Sequence, residues 1–185
     1  MRFRILAYLM VSFSFTSCGS NANSQEATER SKLSGSPFPE MEAELLNQQT
    51  IQIPEDLKAT ANILVLAFEM DAQRYVDPWT SMAMDSLQTD GPRVRFLEVP
   101  MISGAYSLAS GFINGGMRDG IDTTLHNNVA TFFGNREPYF EQLQMPDREG
   151  AYLFLLDRKG TIRYTCDAPK TPEKTQSLIR HLREM

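Results

Sequence analysis

Two cysteines, Cys18 and Cys166, are the residues whose type suits covalent chemistry in this chain of 185 residues. Cys18 closes a run in which Met1-Arg2-Phe3-Arg4 is positive, Ile5 to Phe15 is apolar, and Thr16-Ser17 puts small residues directly before the sulfur. That order is a secretion signal ending in a cysteine, and its chemistry is attachment of lipid to the thiol. A sulfur consumed in this way cannot pair, so Cys166 is left without a disulfide partner inside the chain. Alternation along Thr161 to Cys166 puts Ile162, Tyr164 and Cys166 on one face, with Thr161, Arg163 and Thr165 on the other. A thiol among apolar neighbours has a raised pKa and little reactivity, so packing is the expected role of Cys166. The alternatives are a single-cysteine peroxidase or thiol-redox role, and metal binding.

Three further groups could carry chemistry. Glu69, Asp71 and Asp77 follow an apolar run, where they would either complement a helix N-terminus or form a carboxylate site for a cation or basic partner. Gly115-Gly116-Met117-Arg118-Asp119-Gly120 reads as a turn, or as a loop whose amides and Arg118 fork recognise an anion or a partner. It lacks the lysine and hydroxyl of a phosphate loop. Met82 and Met84 are soft ligands suited to Cu(I), but two residues apart on a helix they face different ways, and His126 and His181 stand alone. No metal or cofactor is expected.

The leader is too short to cross a bilayer, which takes about 20 helical residues. It is similar to the leaders of bacterial lipoproteins, with Phe15 where leucine is commonest. The resemblance implies cleavage before Cys18, a diacylglycerol on its sulfur and an acylated amino group, a multiply acylated anchor that holds durably. Gly19 after the cysteine resembles an outer-membrane address, facing the periplasm. Residues 19–36 are polar and small, so they read as a tether reaching on the order of 20 to 25 Å. The organisation expected is therefore a signal at 1–17, a lipidated tether at 18–36 and one domain at 37–185. Removing Arg2 and Arg4 makes a formal net charge of −5 more negative still, which leaves no footprint for nucleic acid.

The elements that must position these groups follow from the pattern. Asn62 to Phe68 is a short continuous apolar run, the mark of a central strand covered on both faces. Asp77-Pro78 opens a helix through Trp79, Met82, Met84 and Leu87, unless the helix begins a turn earlier and Pro78 bends it. Strands are expected at Arg93 to Val99 and Val129 to Phe133, with a helix near Pro138 to Leu143. Ala151 to Leu156 turns through Asp157-Arg158-Lys159-Gly160 into an antiparallel partner, and Thr171-Pro172 caps a last helix carrying Leu178, Ile179 and Leu182. This order predicts an α/β architecture with a mixed sheet.

With Pro37-Phe38-Pro39 and Ile51-Gln52-Ile53-Pro54-Glu55-Asp56-Leu57 ahead of it, that order resembles the peroxiredoxin-related branch of the thioredoxin-like superfamily. More narrowly, Leu66-Ala67-Phe68, Gln73, Val76-Asp77, Trp79, Glu98-Val99-Pro100-Met101-Ile102, Tyr106 and Ile113 to Ile121 resemble the mitochondrial ATP synthase assembly factor ten family and its bacterial relatives. The resemblance implies a three-layer fold with helices on both faces of the sheet and an N-terminal hairpin extension. Aligned on Pro78, it puts Met70 and Gln73 where thioredoxins carry their redox pair, and neither exchanges disulfides. No proline directly precedes Ala151, where the superfamily keeps a cis-proline. The function expected is a redox-inactive, lipid-anchored module that binds or helps assemble another envelope protein. A single-cysteine thiol enzyme at Cys166 and a copper or small-ligand carrier are its rivals.

Overall fold

The computed structural model describes residues 33–87 and 93–185. The leader, Cys18 and most of the expected tether lie outside the described residues. Leu33 to Ser36, assigned to the tether by composition, belong to the folded part: Leu33 is buried, the Gly35 amide donates to Ile162 O at 2.8 Å, and the Ile162 amide donates to Ser36 O at 2.9 Å.

Seven strands form one mixed sheet: β1 (Met41–Leu45), β2 (Thr50–Ile53), β3 (Ala61–Ala67), β4 (Val94–Ser103), β5 (Ala130–Gly134), β6 (Ala151–Asp157) and β7 (Ile162–Asp167). Their spatial order is β2-β1-β5-β4-β3-β6-β7. β3, β4 and β5 run parallel, β6 and β7 antiparallel to their neighbours, and the β1–β2 hairpin extends the sheet beyond β5. β3 is buried at every position, as its unbroken apolar sequence requires of a strand covered on both sides.

Among the described residues four α-helices cover the faces: α1 (Gln73–Met82), α2 (Ser110–Gly120), α3 (Glu137–Gln142) and α4 (Pro172–Arg183). Side-chain alternation divides the core in two. On one face Ile63, Val65 and Phe96 pack with Val76 and Trp79 of α1, Leu178 of α4, and Cys166. The other face gathers Leu64, Leu66, Leu97, Val99, Phe132 and Phe154 with hairpin residues Met41, Leu45, Ile51 and Ile53, and with Tyr139 and Phe140 of α3. The three layers, the mixed sheet and the N-terminal hairpin follow the expectation.

Two elements depart from it. α1 begins at Gln73, after a 3-10 turn over Met70–Ala72, and Pro78 lies inside it, so Asp77 is not its N-cap. Burial of Ala72, Val76 and Trp79 along one stripe fixes the earlier start, and it outweighs the backbone hydrogen bond that Pro78 removes. The second departure is Gly115 to Gly120, which is not a turn but the body of α2.

Candidate functional site

Parallel strand β3 ends at Ala67, opposite Pro100 of β4, and β4 runs on to Ser103. Open α/β sheets bind ligands at this carboxyl edge, where chain reversals leave loops free of the layers. The reversal after β3 carries Glu69, Met70 and Asp71; the one after β4 is a 3-10 stretch over Gly104–Ala109 leading into α2. Met70 is 96% exposed, Tyr106 59%, Leu108 104% and Phe112 87%, so four large apolar side chains stand in water at one edge. Scattered exposed apolar residues are ordinary, whereas a group of them at one rim marks an interaction surface.

Beneath this edge lies a buried acid. Glu98 is 6% exposed in β4, on the face that meets α1, and its strand neighbours there are Val65 of β3 and Val129. Burial pushes its carboxyl up to about 7; a hydrogen bond from Gln73 works against that rise, and the nearby Asp77 charge adds to it. Gln73 also donates its Nε2 to Asp77 Oδ1 at 2.9 Å. The residue at one expected redox position is thus a neutral amide linking two carboxyl groups, one buried and one exposed. Met70, at the other position, presents an exposed thioether, which does not exchange disulfides.

The remaining candidates fall elsewhere. Asp71 pairs with Arg74 at 3.7 Å, both largely exposed, and Glu69 makes no side-chain cap. Asp71 lies in the 3-10 turn that leads into α1, whose own first turn holds no acid, and Asp77 lies one turn inside the helix. Gly115 and Gly116 lie in the interior of α2, where amides bond to carbonyls four residues back, so they cannot form an anion cradle. Asn114, one turn before Arg118, is fully buried with its Oδ1 2.9 Å from Thr131 Oγ1 of β5. That contact docks α2 on the sheet. Met117 and Arg118 are half-buried, and Gly116 and Asp119 are exposed.

Cys166 is 7% exposed in the α1 face of the core, two strands across from β3 and level with Val65, beside Tyr164. Burial, with that thiol beside it, raises the Tyr164 phenol well above its usual range. Among the described residues no group of three or more His, Cys, Asp and Glu side chains could hold a metal, and no helix is long and apolar enough to cross a membrane. The signal that could have revealed Glu98 in the sequence is a lone acid inside the apolar run Phe96 to Val99.

A central parallel pair, an antiparallel edge pair and a helix starting at the carboxyl end of β3 define a thioredoxin-like protein, here without a thiol at the start of that helix. The chain belongs to the ATP10 protein family, whose model matches residues 31–185. Solved structures agree on the fold. A putative thiol:disulfide interchange protein DsbE from Chlorobium tepidum matches at 13% identity over 80% of this chain and 94% of its own, with a TM-score of 0.53. The pneumococcal exposed lipoprotein thioredoxin Etrx1 from Streptococcus pneumoniae matches at 14% identity, 80% and 100% coverage, TM-score 0.52. BsSco, a member of the Sco family of cytochrome c oxidase assembly proteins, matches at 10% identity, 80% and 92% coverage, TM-score 0.54. No curated protein sequence matches the chain significantly.

Proposed function

We propose that this chain is a redox-inactive assembly module, held to the membrane of the cell envelope by lipid on Cys18, which binds another envelope protein through the carboxyl edge of its sheet. The observation that carries the reading is the exchange of chemistry at that edge. Where a thioredoxin places reactive sulfur, this chain sets a bare Met70 and a hydrogen-bonded Gln73, with Tyr106, Leu108 and Phe112 exposed in the segment that follows β4 at the same edge. Membership of the ATP10 family and the likeness to BsSco, of a family of cytochrome c oxidase assembly proteins, support work on a membrane complex. The leader ending in Cys18 supports the anchor.

Two measurements test this. A photocrosslinking phenylalanine analogue in place of Leu108, in the full chain in its native envelope, should capture one envelope protein, and the adduct should disappear with Met70→Asp. No adduct, or capture indifferent to Met70, counts against the docking edge. Radiolabelled palmitate should enter the wild-type chain and not Cys18→Ala; equal labelling removes the anchor. A purified protein that reduces insulin or consumes peroxide, with that activity lost in Cys166→Ser, would replace the whole reading with the single-cysteine enzyme.

A further inference from the structure

We propose that Arg136 is the polar anchor of the docking edge: the outer side of its guanidinium receives the carboxylate of an aspartate or glutamate side chain on the protein that docks there. This inference names the chemistry of the partner, and so rests on the docking reading of the edge.

Arg136 stands where the three parallel strands finish. β5 ends at Gly134, and the Arg136 carbonyl accepts from the Tyr139 amide at 3.1 Å, which fixes its backbone at the start of α3. Its Nη1 donates to Phe68 O at 3.3 Å and to Met101 O at 3.1 Å. Phe68 directly precedes Glu69 and Met70, and Met101 lies just before Ser103, which ends β4 and caps the 3-10 stretch after it. Gly134 backs onto that stretch so closely that a Cβ on Gly104 would meet its backbone at 3.3 Å. The guanidinium therefore lies at the root of both loops of the docking edge.

Counting its protons shows what remains. Nη1 uses both of its own on the two carbonyls, whereas Nε and Nη2 have no partner among the described residues and both reach solvent. What is left is the side-on pair of parallel N–H donors, whose spacing matches the two oxygens of a carboxylate. No acid of this chain takes it: Asp71 pairs with Arg74, and Glu137 with Arg148. The charge is permanent. A partner that covered the edge with apolar surface alone would bury that charge and its donors unpaired, which opposes docking, and a carboxylate at that point removes the penalty. Because two carbonyls already hold the side chain, little rotamer freedom is lost on binding. Exposed Met70, Tyr106, Leu108 and Phe112 supply the apolar surround in which an interface arginine contributes most. One free guanidinium, at the root of a loop that carries exposed Glu69, suits a single negative charge better than a phosphate dianion.

The test uses the full chain in its native envelope, with the photocrosslinking analogue in place of Leu108. Arg136→Gln should lower capture of the docked protein about thirtyfold, and Arg136→Lys, which keeps the charge without the fork, should recover part of it. The amine in Arg136→Lys also permits a direct reading. A water-soluble carbodiimide activates carboxylates, and an amine held against one displaces the reagent as a urea and leaves an amide bond. Mass spectrometry of the joined peptides should find position 136 bonded to an aspartate or glutamate side chain of the same protein that position 108 captures. The chain with Arg136 intact should give no such bond. This arm decides the matter if Arg136→Gln fails to fold. A bond to a chain terminus, a bond only to acids of this chain, or no bond while capture from position 108 persists overturns the proposal, as does capture unchanged in Arg136→Gln. Those results remove Arg136 alone; capture absent with Arg136 intact sinks the docking edge, and this anchor with it.

Discussion

Asp56 closes the outer side of Gln52. Its carboxylate Oδ2 accepts from the Gln52 amide at 2.8 Å, and its own amide donates to the Gln52 carbonyl at 2.7 Å. Gln52 lies on β2, the last strand of the sheet on that side, and these are backbone groups that another chain would otherwise pair with. Asp56→Ala should expose one donor and lower stability by about 1 to 2 kcal/mol. It should also produce concentration-dependent self-association in sedimentation velocity. Asp56→Asn, which keeps an acceptor at the same reach, should remain as wild type; association of both variants alike would reject this role.

The Glu98 carboxyl also makes a prediction for global stability. Its folded pKa of about 7 lies above the ordinary value of 4.5, so the folded chain holds the proton more tightly. The contribution is complete below about pH 4.5 and is lost as the pH rises through 7. At about 1.4 kcal/mol per pKa unit the loss is at most on the order of 3 kcal/mol. Urea midpoints at pH 5 and pH 8 measure it: wild type should lose stability over this interval relative to Glu98→Gln. An interval effect equal in both proteins would place the titration elsewhere.

Cys166 should behave as a core side chain. In a Cys18→Ala background, a disulfide reagent should modify the native protein at least a hundredfold more slowly than the chain in urea, since the thiol is buried in the native fold. Cys166→Ser should cost about 1 to 3 kcal/mol by burying a hydroxyl among apolar side chains. Rapid native labelling would return Cys166 to the list of reactive groups.

The sheet was legible because β3 and β6 are short continuous apolar runs and β7 alternates, patterns set by burial on two faces or one. Thr171 as the cap of α4 was equally readable, and its hydroxyl accepts from the Lys174 amide at 3.3 Å. α2 was not. Gly111, Gly115, Gly116 and Gly120 each cost about 1 kcal/mol in a helix, so local propensity argues for a turn. The buried contact from Asn114 to Thr131 fastens this segment to the sheet, and no local pattern encodes it. The start of α1 was obscured in the opposite way, since Asp77-Pro78 is a strong opening signal overruled by the burial of Val76 and Trp79 on either side of it. Gln73 and Met70 could be placed by resemblance, but the carboxyl pair around Gln73 needed the fold.

The chain enters the domain where Gly35 and Phe38 bond to Ile162 and Gly160, at the turn joining β6 and β7. Because β6 runs against β3, that turn lies at the start of β3, while Met70 follows its end. Seven strand residues separate the two poles by roughly 20 Å. Any leash acting through the segment before Leu33 pulls on the pole opposite Met70, so a surface holding that leash would have the Met70 pole aimed outward, within reach of whatever stands above it.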